Sequence, residues 1–190
     1  MLNKKYFQAV RQDLLSYAEK RREVIKVAGD AQQMAKKAIF ALQRDDFKLA
    51  ASLLDQSLLL LQGLNKKFKS EPDLFTEGSY RAALEEYTEA GLLAMALTKK
   101  PLDKIPDLTV DSDAFVSGLC DVPGELYRYA IKSATERKFS MVKKCYQIAE
   151  EIVTELVDMD LTGYNRQKFD QAKQALHKLQ QVVYEVSLKP

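Results

Sequence analysis

A single histidine in 190 residues removes much of the usual site chemistry before any motif is read. His177 alone cannot run a two-histidine general acid–base nuclease. Nor can it supply the two Glu-x-x-His elements of a ferritin-like di-iron site. It lies beside Lys178 on a late helical segment and reads as a surface residue. The two cysteines, Cys120 and Cys145, fall in apolar helical patterns, and no CxxC or Cys/His metal spacing exists. They read as reduced core residues of a cytoplasmic protein rather than as a disulfide. Seven glycines and five prolines are too few for a turn-rich all-β fold. The longest apolar runs, such as Leu58–Leu61 and Gly91–Leu97, are far shorter than a membrane span. The N-terminal M-L-N-K-K-Y-F-Q carries no apolar core of a signal peptide. Net charge is only +2, so bulk charge does not argue for nucleic acid.

What remains is helical periodicity. Apolar residues make up 46% and charged residues 29%, which suits one folded domain covering residues 1–190. The 3–4 spacing predicts helices over about 3–44, 47–68, 79–98, 112–135, 137–159 and 164–187. Asp45-Asp46 separates the first two and caps the second. Ser70-Glu71-Pro72-Asp73 makes a turn, and Lys99-Lys100-Pro101 ends the third helix before a loop at 101–111. Asp111 or Ser112 caps the fourth helix, which Pro123 is expected to kink, while Gly118 and Gly124 allow another backbone to come close. Thr162-Gly163 marks the last break. R-A-A-L-E-E-Y-T-E-A has a tetratricopeptide flavour, but nothing recurs at a period near 34 residues. The expected fold is all-α, a single-domain bundle of six to seven long antiparallel helices. A first helix of about forty residues would span about 60 Å. That exceeds what such a domain needs for its own core, so part of it is expected to meet other subunits.

Charge is unevenly placed. Residues 1–48 hold eleven Lys/Arg against six Asp/Glu, a pattern that suits a polyanion and equally suits a solvated helix face. Four acids stand out instead because they lie where charge is rare. Glu86 and Glu89 open a stretch with no other charge up to Thr98, and a helix apolar all round is a buried helix. Asp121 and Glu125 share a stripe with Ser117, Gly118, Gly124 and Arg128 on an otherwise apolar helix. Each pair is spaced i,i+3 or i,i+4, which puts both carboxylates on one face. Glu85, on the side of Arg81 and Leu92, reads as solvated. Buried carboxylates need a cation or a partner. Without histidine, an all-oxygen donor set suits Mg²⁺ or Mn²⁺. Ion pairing with Arg81, Arg128 or Lys132 is the competing explanation. Arg128 can pair with Glu125 or wait for a phosphate.

Four segments in order resemble one family. V-I-K-V-A-G-D-A-Q-Q-M-A-K-K-A-I-F-A-L-Q-R (24–44) is similar to the first-helix signature of the translin/Trax family. L-E-E-Y-T-E-A (84–90) is similar to its glutamate motif, and S-G-L-C-D-V-P-G-E-L-Y-R-Y-A-I (117–131) to its second acidic motif. The segment 164–188, ending V-V-Y-E-V-S-L, resembles its last helix. The resemblance implies an all-α fold of seven helices, an octameric shell, and binding of single-stranded RNA or DNA. On the Trax-like side of the family it implies a Mg²⁺-dependent endoribonuclease, and the match carries that catalytic, metal-holding role onto Glu86, Glu89, Asp121 and Glu125. Translin-type subunits lack the aspartate and glycine of the second motif, which this chain keeps as Asp121 and Gly124. There are departures. Pro123 stands where the family usually has Thr, and Gly29 where Trax-like sequences carry Arg before the Asp. The short N-terminus resembles a stand-alone prokaryotic member, implying a homo-oligomer.

The reading reached from the sequence is therefore a Mg²⁺- or Mn²⁺-dependent endoribonuclease. Metal-activated water would attack a phosphodiester of single-stranded RNA, with no small-molecule cofactor and no membrane partner. Arg21, Arg22, Lys26, Lys36, Lys37, Arg128 and Lys132 are the candidates to hold phosphates. Each of them also reads as a solvated charge. No aromatic stacking platform is evident, so weak sequence preference is expected. A non-catalytic binder of single-stranded nucleic acid and a helical scaffold for a partner protein are the rivals.

Overall fold

The computed structural model describes residues 1–188, and among these it contains helices but no strand. In chain order they are α1 (Lys4–Leu42), α2 (Phe47–Lys67), a 3₁₀ turn (Pro72–Thr76), α3 (Gly78–Leu97), α4 (Ser112–Thr135), α5 (Phe139–Val157) and α6 (Gly163–Ser187). The helix starts follow from capping side chains that accept otherwise unmatched backbone N–H groups. Asn3 accepts from Tyr6 N at 3.2 Å, Asp46 from Leu49 N at 3.0 Å and Asp111 from Ala114 N at 3.1 Å. Four helices run into left-handed residues that are not glycine: Asp45, Lys99, Arg137 and Asp160, with φ of 64°, 61°, 59° and 46°. These sharp exits explain how a chain with so few glycines still reverses direction between its helices.

Helix α1 packs on α2 and α3, and α4 packs on α5 and α6; the α3–α4 contact joins the two groups. An a/d-type stripe on α1 provides the first half of the core through Val24, Ala28, Ala31, Ala35, Ala38 and Leu42, all buried. The alanines let neighbouring helices approach closely. The same 3–4 spacing continues outward through Phe7, Val10, Leu14 and Tyr17, yet these four are exposed. The first part of α1 thus carries a core-like stripe that nothing among the described residues covers.

The expected glycine roles divide. A Cβ on Gly118 would lie 2.8 Å from the Glu85 carbonyl oxygen, 2.8 Å from Thr88 Cβ and 3.0 Å from Glu89 N. At Gly124 a Cβ would meet nothing within 4 Å, so the close approach read from both glycines belongs to Gly118 alone. Helix α4 runs without interruption through the buried Pro123.

Gly118→Ala is expected to push α3 from α4 and to lower stability by about 1–3 kcal/mol, measured by urea denaturation. Gly63, on an open face of α2, serves as the control. There Ala is expected to be neutral or stabilising by up to about 1 kcal/mol.

Candidate active site

The Gly118 contact puts three α3 carboxylates, Glu85, Glu86 and Glu89, beside Asp121 and Glu125 of α4. Glu89 is the most enclosed, at 8% exposure. Its side chain has no ion-pair or hydrogen-bond partner among the described residues, unlike its neighbours. Burial, followed by the charges of Asp121, Glu86 and Glu125, pushes its pKa from the ordinary 4.5 to about 9. Lys168 opposes this shift only in part. Glu86 is half-buried, lies 3.6 Å from Lys36 Nζ, and is also shifted upward, chiefly by burial.

Asp121 is held by α6. Lys168 Nζ donates to Asp121 Oδ2 at 2.6 Å and to Glu85 Oε2 at 3.2 Å. Burial raises the Asp121 pKa, with Glu85 and Glu125 adding to it, although Lys168 pulls the other way. For Lys168 itself, burial works against the charge, but Asp121 and Glu85 outweigh it and the net shift is upward. Lys168 therefore keeps its charge, and Asp121 sits in a surplus of like charge. Glu125 accepts from Arg128 Nη1 at 2.9 Å and from Gln43 Nε2 at 2.8 Å. Gln43 also donates to the Glu125 carbonyl, tying the end of α1 to α4.

Five carboxylates thus face three cations: Lys36, Arg128 and Lys168. A hard divalent ion suits such an oxygen-rich, over-negative pocket in donor type and in charge. In the present arrangement, however, no three His, Cys, Asp or Glu side chains among the described residues stand close enough to hold one. Lys168 and Arg128 occupy the carboxylates that would have to converge. The donor chemistry fits Mg²⁺ or Mn²⁺, and the ion pairs must open for an ion to enter.

The structure gathers all four acids read from the sequence and corrects a fifth. Glu85 is not solvated. Its side chain is 15% exposed and accepts from Lys168 and from Tyr164 Oη. The basic candidates scatter more. Arg21 pairs with Glu77, Lys36 with Glu86, Arg128 with Glu125, and Lys132 with Asp45. Arg128 also lies over the Phe40 ring. Arg22, Lys26 and Lys37 are exposed and share one side of α1, with no ion pair among the described residues. Of the proposed alternative partners for the acids, Arg81 is taken by Asp111 and Asp113 instead. Sequence reasoning missed Lys168, Gln43 and Glu85. For Lys168 there was a signal, because it lies on the buried stripe of α6 with Asn165, Phe169, Ala172, Ala175 and Leu179. A charge on an apolar stripe asks for a buried partner. His177 is exposed as expected, and Cys120 and Cys145 are buried free thiols whose pKa values burial pushes up to about 12.

Fold and site together define a class: an all-helical bundle with an acid-lined seam between two central helices and a protruding first helix. The chain belongs to the translin family, whose model matches residues 19–190. Its fold is shared with the crystal structure of AfC3PO, at TM-score 0.88 and 22% identity, covering 96% of this chain and 97% of that one. It is similar to apo-NeC3PO (TM-score 0.86, 21% identity, 98% of each chain). The AfC3PO–duplex RNA complex aligns equally well (TM-score 0.88, 21% identity, 96% and 97%). No curated protein matches the chain significantly.

Because Glu89 keeps its proton in the folded state well above its ordinary pKa, the folded protein binds more protons than the unfolded chain between about pH 4.5 and 9. Stability should therefore fall as pH rises through that window. Thermal melts of Glu89→Gln are expected to show a flatter pH dependence and a higher Tm than wild type at the alkaline end. Parallel curves for the two proteins would contradict the shift.

Proposed function

We propose that this protein is a Mg²⁺- or Mn²⁺-dependent endoribonuclease acting on single-stranded RNA. The observation that carries this reading is Glu89, an unpartnered buried carboxylate crowded by Glu86, Asp121 and Glu125. These four residues would hold the ion. When bound, it supplies the Lewis acidity that activates water and stabilises the leaving oxygen of a phosphodiester. The chain's own cations then place the substrate. Arg22, Lys26 and Lys37, with no ion pair among the described residues, present charge along one side of α1, where a phosphate backbone would meet cations without any base-reading group. Single-stranded DNA fits the same stripe. Membership of the translin family and the fold shared with the AfC3PO–duplex RNA complex support a nucleic-acid substrate.

The uncovered stripe Phe7, Val10, Leu14 and Tyr17 supports assembly, with a second copy of the chain as its cover in a homo-oligomeric shell, octameric by family resemblance. Among the described residues no helix is long and apolar enough to cross a membrane. The two buried free thiols accord with a reducing, cytoplasmic setting.

The second reading, a non-catalytic binder of single-stranded nucleic acid, draws on the ion pairs that already hold Asp121 and Glu125. One assay separates the two. Single-stranded and duplex RNA are incubated with Mg²⁺ or Mn²⁺ and with wild type, Asp121→Asn or Glu86→Gln, and assembly is followed by light scattering. Wild type is expected to cleave the single strand, and both variants to lose about two orders of magnitude or more of that cleavage while assembling normally. Equal activity in all three would remove the acids from the chemistry, and an inactive wild type that still binds RNA favours the second reading. Replacing Arg22, Lys26 and Lys37 together by Ala is expected to lower the salt slope of RNA binding by about 2. An unchanged slope would place the phosphates elsewhere.

A further inference from the structure

Among the described residues Lys168 is the one cation enclosed among the carboxylates, at 9% exposure, and it bridges helices rather than serving one. Its Nζ lies 2.6 Å from Asp121 on α4, 3.2 Å from Glu85 on α3, and 5.1 Å over the ring of Tyr164 at the start of α6. A purely structural salt bridge would be expected to satisfy the most buried acid. Here the ammonium instead neutralises Asp121 and leaves the deeper Glu89 without any partner. The short bond to Asp121 is a strong, charge-assisted one, and it stands on one of the four acids proposed to hold the ion. A lysine stem has several rotatable bonds, and of the ammonium's two other contacts the Tyr164 ring leads toward solvent. Glu85 is itself enclosed, its side chain 15% exposed against 30% for Asp121, whereas Tyr164 is largely exposed.

Resting on the proposed metal site, we infer that Lys168 is a tethered counter-cation. It occupies Asp121 while no divalent ion is bound, and it withdraws toward Glu85 and the Tyr164 ring when an ion takes Asp121. The protein's own ammonium thus competes with Mg²⁺ or Mn²⁺ for one ligand. It keeps the seam from flying apart through charge repulsion in the free protein, and it sets the ion concentration at which the site fills. In this role Lys168 is a positioning residue, acting through Asp121 without touching the substrate.

Calorimetric titration of the purified full chain with Mn²⁺ alone tests the competition. Lys168→Met removes the competitor and is expected to bind Mn²⁺ about tenfold tighter than wild type, whereas Lys168→Arg, which keeps the charge, stays near the wild-type affinity. A structural brace predicts the opposite, because its loss loosens the ligands and weakens binding. A second measurement needs no variant. Wild type is treated with formaldehyde and dimethylamine–borane, and methylation of each lysine is read by peptide mass spectrometry. Lys168 is expected to be protected without Mn²⁺ and to gain labelling relative to the exposed Lys26 when Mn²⁺ is present. If wild type binds Mn²⁺ but Lys168→Met binds it equally or more weakly, or if Lys168 stays protected in its presence, the counter-cation role is overturned and the metal site stands. Absence of Mn²⁺ binding in both wild type and Lys168→Met overturns the metal site and this role together. Should Lys168→Met fail to fold, the labelling result on wild type decides.

Discussion

Where α3 and α4 meet, Gly118 lies against the Glu85 carbonyl and the Thr88 side chain with no room for a Cβ. That closeness is what the site depends on. Only a glycine lets the two backbones come near enough for carboxylates on separate helices to feel one another through a low-dielectric interior. The α1–α2–α3 group and the α4–α5–α6 group are each held by ordinary apolar packing. Their joint, by contrast, carries a surplus of negative charge that packing alone cannot relieve.

The protein meets that surplus in three ways. Arg128 and Gln43 fix Glu125, Lys168 bridges Asp121 and Glu85, and Glu89 keeps its proton. Each response costs something. A buried ion pair is stabilising only when its hydrogen bonds are good, and a protonated glutamate is lost as pH rises. A seam tuned only for stability would carry apolar residues here. The retained carboxylates mark a place where stability is held below its optimum, as binding and catalytic sites commonly are.

Much of this was legible in the sequence, for identifiable reasons. Helix positions followed from the 3–4 spacing, and Asp46 and Asp111 announced two helix starts because short acidic side chains satisfy N-terminal N–H groups. Glu86 and Glu89 were found because no other charge shares the stretch up to Thr98. What could not be read were pairings across the fold. Lys168 lies 47 residues from Asp121 and 83 from Glu85 along the chain, and nothing local says that they meet. The same limit misplaced Glu85, whose own helix face suggested solvent until α6 covered it. Nor could the pairings of Arg21 with Glu77 and of Lys132 with Asp45 be read along the chain. Gly118 and Gly124 looked alike in sequence; only the side of α4 that faces α3 separates them.

The central claim is that the seam stores unmet negative charge, with one proton on Glu89, which a divalent ion can replace. Binding such an ion must then release that proton. Calorimetric titration of the wild-type protein with Mn²⁺ near neutral pH, repeated in two buffers with different heats of ionisation, measures the protons exchanged. The account predicts release of about one proton per ion bound. Binding with no proton release, or no binding at all, would contradict it.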